Sequence, residues 1–133
     1  EKFYDAFKEH ISLTEEYLKS CGFEIEECFT NINSAVEINH EVIGRLTSNI
    51  TKNIERYADR KSPVVIRSLT CGGEIILSFV NKIKEKDDEE ESTGLGKKIM
   101  ERLMNTLNGQ CIIEEDNEKY EIKLIFPIAE EAE

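Results

Sequence analysis

Ser92-Thr93-Gly94-Leu95-Gly96-Lys97-Lys98-Ile99 carries the residue types best suited to holding an anion. Two glycines flank one leucine, and Leu95, Ile99, Leu103 and Leu107 then recur at steps of four, which is one stripe of a helix. The glycines therefore stand at a helix start, where backbone N–H groups have no partner inside the helix and the dipole is positive. With no Cβ on Gly94 or Gly96, a phosphate can come close to the backbone. Lys97 and Lys98 put cations in the first turn, where the dipole alone disfavours them and an incoming anion would explain them. The same residues also fit a helix start with ordinary glycines.

Asn49, Asn53 and Arg56 form a second set. In a helix over 41–57, Ile43, Leu46, Ile50, Ile54 and Tyr57 cluster in one apolar stripe, and the three polar residues align about a quarter turn away. They edge the buried face, so they fit a pocket wall as well as a solvated flank.

Around these sets the chain supplies helices and short strands. Phe3, Phe7, Ile11, Thr14 and Leu18 predict a first helix, with Gly22 as its stop and His10 as an ordinary helix-face residue. Residues 23–33 read as a strand with a slip near Glu27, Asn33-Ser34 as a turn, and 35–38 as a second short strand. Asn39 is placed to cap the helix that carries Asn49 and Asn53. Residues 64–69 and 75–80 predict two strands around the turn Cys71-Gly72-Gly73. Residues 81–91 read as a charged segment, basic and then acidic, that serves either as a solvated loop or as a lid. After the glycine-led helix ends at Asn108-Gly109, residues 110–114 and 119–126 predict a closing hairpin, with Tyr120, Ile122, Leu124 and Phe126 facing the core. The acidic tail after Ile128 reads as frayed.

The 133 residues suit a single domain spanning 1–133 with a real core. The net charge of −11 repels nucleic acid and anionic membrane, so neither is an expected partner. It repels nucleotides too, so one would need local positive charge and Mg²⁺. Cys21, Cys28, Cys71 and Cys111 form no CxxC pair and have no neighbouring His, which favours free thiols in a reducing cytosol over zinc. No stretch approaches the roughly 18 apolar residues of a membrane span. Without an initiating Met the chain reads as part of a longer protein.

From about Glu24 to Ile128 the chain resembles the catalytic, ATP-binding domain of bacterial sensor histidine kinases, in the ATPase family shared with gyrase B and MutL. Arg45 to Tyr57 is similar to the family's N box, N-L-x-x-N-A-x-K-Y, with Asn49 and Asn53 at its asparagine positions and Arg56-Tyr57 at its Lys-Tyr pair. Ser92-Thr93-Gly94-Leu95-Gly96 is similar to the second glycine box, G-T-G-L-G-L. The resemblance implies a two-layer α/β sandwich of the Bergerat type, with a mixed sheet of about five to six strands covered on one face by three helices.

The resemblance also implies roles. ATP would contact Asn49, Asn53, Arg56, Tyr57, Asn81, Ile83, Ser92, Thr93, Gly94, Leu95, Gly96, Lys97 and Lys98. Asn53 would ligate Mg²⁺, Asn49 would orient the metal shell or the attacking group, Arg56 would neutralise phosphate, and Asn81 would read the adenine amine. The γ-phosphoryl would pass to a His on a separate dimerisation domain, with a response regulator downstream. The whole protein would be a membrane-bound sensor, with this domain in the cytosol. The chain departs from the family in four places. The first glycine box, D-x-G-x-G, is absent and Asn81 stands where its Asp would be; Lys97 replaces a Leu; the lid lacks its aromatic box; and no phosphoacceptor His is recognisable. These departures keep a second expectation open, a degenerate nucleotide-binding or interaction domain that signals by conformation without phosphotransfer.

Overall fold

The computed structural model describes residues 2–29, 34–84 and 95–128. The elements run α1 (Phe3–Ser20), β1 (Ile25–Phe29), α2 (His40–Tyr57), β2 (Val64–Cys71), β3 (Glu74–Lys82), α3 (Leu95–Asn105), β4 (Gln110–Glu115) and β5 (Lys119–Pro127). α1 buries Phe3, Ala6, Phe7, Ile11, Thr14 and Leu18, the stripe its spacing predicts. It stops where Gly22 takes φ 96°, and the Gly22 and Phe23 N–H groups donate to the Lys19 and Leu18 carbonyls, each at 3.0 Å. Those two bonds satisfy carbonyls that the last turn would otherwise leave unpaired.

The strands form one sheet in the order β1-β2-β3-β5-β4. β2, β3, β5 and β4 pair antiparallel, while β1 pairs parallel to β2. A parallel neighbour needs a crossover, and α2 is that crossover. The slip expected near Glu27 is absent, because the register runs unbroken from Ile25↔Val64 to Phe29↔Ser68. β1 lies at the sheet edge with Glu26, Glu27 and Cys28 exposed, so its acidic side chains blur the alternation without a bulge. The second short strand expected at 35–38 is also corrected. Ala35 and Val36 make only single bridges, to Lys2 and Ile128, which tie this segment to the start of α1 and the end of β5. β3 runs on to Lys82, so Asn81 is a strand residue rather than the start of a loop; residues 85–94 lie outside the described residues.

One face of the sheet carries the core. Ile75, Leu77, Phe79 and Asn81 on β3 stand opposite Phe126, Leu124, Ile122 and Tyr120 on β5, and the two-residue period puts all eight on one face. Phe126 meets Phe7 of α1 edge-on, ring centroids 5.1 Å apart. Thr51 of α2 donates its hydroxyl to Thr14 of α1 at 3.1 Å, so a hydrogen bond joins two otherwise apolar helix faces. On the opposite face Arg67 pairs with Glu121, and Lys123 with Glu114, each at 3.1 Å. This is a two-layer α/β sandwich with three helices and a five-stranded mixed sheet.

Candidate functional site

The site begins with how α2 is phased. Asn39 caps it, its side-chain oxygen accepting the Glu41 and Val42 N–H groups at 3.0 and 3.2 Å. Ile43, Leu46, Ile50 and Ile54 are then buried, and Thr47 and Thr51 turn toward α1. Asn49 and Asn53 fall on the remaining flank, both half-buried. Asn49 lines an open groove of about 490 Å³ with Ser48 and Lys52 of α2 and Ile99 and Leu103 of α3. The polar flank of α2 thus faces the helix that the glycines lead into.

Asn53, one turn further on, reaches the sheet beside Tyr120. Tyr120 stands opposite Asn81 in the β3–β5 register. Asn81 is buried, 4% exposed, and its amide donates to the Lys82 carbonyl at 3.1 Å. Burial pushes the Tyr120 phenol above its ordinary range, the Glu115 charge adds to this, and the nearby Asn53 side chain pulls the other way.

The end of α2 is stitched to the chain leaving β3. The Lys84 N–H donates to the Tyr57 carbonyl at 2.9 Å, the Asp59 N–H to the Lys82 carbonyl at 2.8 Å, and Ala58 bridges Ile83. Tyr57, Asn81 and Ile83 are therefore held at one end of the α2–sheet interface, where Asn53 meets Tyr120. Arg56 is exposed, its guanidinium 5.1 Å from the centre of the Tyr57 ring.

The glycine-led helix is only partly visible. Ser92, Thr93 and Gly94 lie outside the described residues, and Leu95 opens α3. Gly96 is exposed, and a Cβ built there would meet no atom of the described residues within 4 Å. Packing therefore gives no reason for glycine at this position, whereas close approach of a ligand to the backbone does. Lys97 lies 4.0 Å from Glu101 on the next turn, and Lys98 is exposed. Both Lys97 and Glu101 act on the Cys111 thiol of β4, which burial, and then the Glu101 charge, push up to about 11. Lys97 is thus on the β4 side of α3, whereas Ile99 and Leu103 face Asn49.

The structure brings Asn53, Tyr57, Asn81 and Ile83 together, sets Asn49 beside α3, and leaves Arg56, Lys97 and Lys98 at the surface. Sequence reasoning missed Tyr120, taken only as one of four alternating core residues. The available signal was its place opposite Asn81, at the strand position where the helix face stops being apolar.

Oxygen donors from two asparagines suit a hard cation, but neutral amides bind one weakly without further anionic ligands. A metal held here would need phosphate oxygens as well, and the unpacked Gly96 at the start of α3 fits that requirement.

No family model matches the chain. It is 29% identical over 128 residues to the sensor histidine kinase YrkQ of Bacillus subtilis (strain 168), covering 95% of this chain and 28% of that protein. The chain thus spans just over a quarter of the curated relative it matches. Among solved structures it superposes on the catalytic domain of histidine kinase ThkA with a TM-score of 0.76 at 16% identity, covering 96% of this chain and 94% of that one. It also superposes on the Acinetobacter baumannii histidine kinase AdeS with a TM-score of 0.73 at 16% identity, covering 97% of this chain and 66% of that one. The resemblance carried by Arg45–Tyr57 and Ser92–Gly96 is borne out: the chain is related to a sensor histidine kinase and has the fold of histidine kinase catalytic domains.

Proposed function

We propose that this chain binds Mg-ATP and acts as the catalytic domain of a sensor histidine kinase, passing the γ-phosphoryl group to a His on a separate dimerisation domain. The observation that carries the reading is the placement of Asn53 and Asn81 at one end of the α2–sheet interface, with Asn49 facing the glycine-led helix. Mg²⁺ supplies charge neutralisation across the phosphates when bound. Asn53 and Asn49 offer it amide oxygens. Gly96, with Gly94 before it, lets backbone N–H groups face the phosphates, and Lys97 and Lys98 raise the local positive potential in an acidic protein. Ser92, Thr93 and Leu95 belong to the same phosphate-facing segment. Arg56, free to swing from its stacked position on Tyr57, is the cation best able to follow the γ-phosphoryl group. Asn81 and Ile83 line the base end, Asn81 reading the adenine amine. Catalysis rests on positioning and charge rather than on a protein nucleophile.

In this reading the partners are ATP and the His-bearing dimerisation domain, with a response regulator further downstream. No described helix is long and apolar enough to cross a membrane. In this reading the domain would be the cytosolic part of a membrane-bound sensor. A second reading, a domain that binds nucleotide and signals by conformation alone, draws support from the neutral Asn81 at the position of the family's Asp. Transfer separates the two. The domain is incubated with γ-labelled ATP and the dimerising helices of its parent protein. Label on those helices, labile to acid and stable to base, supports the kinase. ATP binding without transfer supports the conformational reading.

A further inference from the structure

We infer that His10 and His40 form a two-imidazole site for a divalent transition-metal ion, with zinc the ion that fits. The inference is independent of the Mg-ATP reading and uses neither asparagine of α2. The chain has two histidines, and the fold brings both together: His10 lies midway along α1, and His40 is the first residue of α2. The His10 Nε2 and His40 Nδ1 atoms are 3.4 Å apart, in rings whose centroids are 5.6 Å apart and whose planes differ by 24°. The two nitrogens therefore face one another, one carrying a proton and the other a lone pair.

That separation selects the ion. Imidazole nitrogens bind Zn²⁺ at about 2.0–2.1 Å, so two of them 3.4 Å apart subtend about 110° at the metal, the tetrahedral angle. A square-planar or octahedral ion needs about 90°, which sets the nitrogens about 2.9 Å apart. Turning each ring by about 35° off the line between the nitrogens aims both lone pairs at the metal position. His10 is half-buried and His40 exposed, so the rings have that freedom. The shared proton moves to the other nitrogen of its own ring; both imidazoles then bind as neutral ligands, and no net proton is released. Among the described residues no cluster of three or more His, Cys, Asp or Glu could hold a metal, so water takes the remaining positions. The open groove of about 470 Å³ that His10 lines with Leu13, Gly44, Thr47 and Ser48 has room for that water. Glu9 and Glu41, each next to a histidine in sequence, and the net charge of −11 offset the positive end of α2. A bound ion would tie α1 to the start of α2 and stabilise the folded chain.

The test is calorimetric titration of ZnCl₂ into the metal-stripped parent, His10→Gln, His40→Gln and the parent with its thiols alkylated. The expected result is one Zn²⁺ per chain in the parent, unchanged by alkylation. Either substitution should weaken binding at least about tenfold, since even partners outside the ligand sphere are commonly worth that much. Zn²⁺ should also raise the melting temperature of the parent and leave that of each variant where it was. Comparing each protein with and without metal cancels any effect of the substitution on the fold itself. Equal zinc affinity in parent and variants overturns the inference. So does binding lost on alkylation, which assigns the ion to the cysteines, and so does a parent that takes up no zinc. A readout without substitutions follows the imidazole C–H proton resonances of the parent. Both rings should shift together and saturate at one equivalent; zinc uptake that leaves either ring unmoved overturns the inference. None of these outcomes involves ATP, so the Mg-ATP reading stands or falls separately.

Discussion

Glu15 on α1 and Glu27 on β1 make the stability of the fold depend on pH in a direction opposite to most carboxylates. Glu15 is pushed up to about 7, first by burial, then by a hydrogen bond shared with Glu27 and by the Glu27 charge, with Lys19 pulling the other way. One Glu15 oxygen is buried without a hydrogen-bond partner, which a proton shared with Glu27 would relieve. Between the ordinary carboxyl range and about 7 the folded state holds more protons than the unfolded chain, so stability falls as pH rises through that window and stays lost above it. Unscreened, the displacement is worth roughly 3 kcal/mol. Glu15 is only partly buried and Glu27 is exposed, so solvent screening reduces this to about 1 kcal/mol. Glu15→Gln keeps the shape of the protonated acid and has no proton to lose. Thermal melts at about pH 8.5 should show it more stable by about 1 kcal/mol, a rise of about 2–6 °C in Tm for a domain of this size. The gain should shrink steadily toward pH 5. An equal gain at both ends of the range, or none at pH 8.5, would refute the shared-proton account.

Further predictions follow from other positions. Asn81→Asp should tighten ATP binding several-fold, since a charge-assisted bond to the adenine amine is about twice as strong as a neutral one; Asn81→Leu should weaken it and erode the preference for ATP over GTP, both read by competition titration. Gly109→Ala should cost about 1–3 kcal/mol in denaturant melts, because the added Cβ would press on the Ile125 carbonyl and the Met104 side chain. His10, 3.4 Å from His40, is held below its ordinary range by burial and by His40, against a raising Glu9, so the parent loses stability as pH falls below about 6.5, and His10→Gln should flatten that loss in pH-dependent melts.

Where one physical signal dominated, the sequence was readable. The four-residue stripes of α1 and α2, the Asn39 cap, the Gly22 stop and the Gly72-Gly73 turn all act within a few residues of themselves, and each is present. The flank formed by Asn49 and Asn53 was legible for the same reason. What escaped depends on distant partners. The unbroken parallel pairing of β1 is set by β2, nearly forty residues later, and its exposed acids hid it. Residues 35–38 looked like a strand by composition but find only single bridges. The pairing of Lys97 with Glu101 and its place on the β4 side of α3 are likewise seen only in the fold. Tyr120 packs against the core as its alternation predicts, but its place opposite Asn81 is set by the β3–β5 register.

The central claim is that Asn53 holds the metal of a bound nucleotide, and ATP calorimetry on the parent and Asn53→Ala, with and without Mg²⁺, tests it most directly. Asn53 is half-buried and lies outside the buried apolar stripe of α2, so the variant should keep the fold and its melting temperature nearly unchanged. The account predicts that the parent binds ATP more tightly with Mg²⁺ than without, and that Asn53→Ala loses nearly all of that increment. A parent that takes up no ATP, or an Asn53→Ala titration that matches the parent in both conditions, would contradict it.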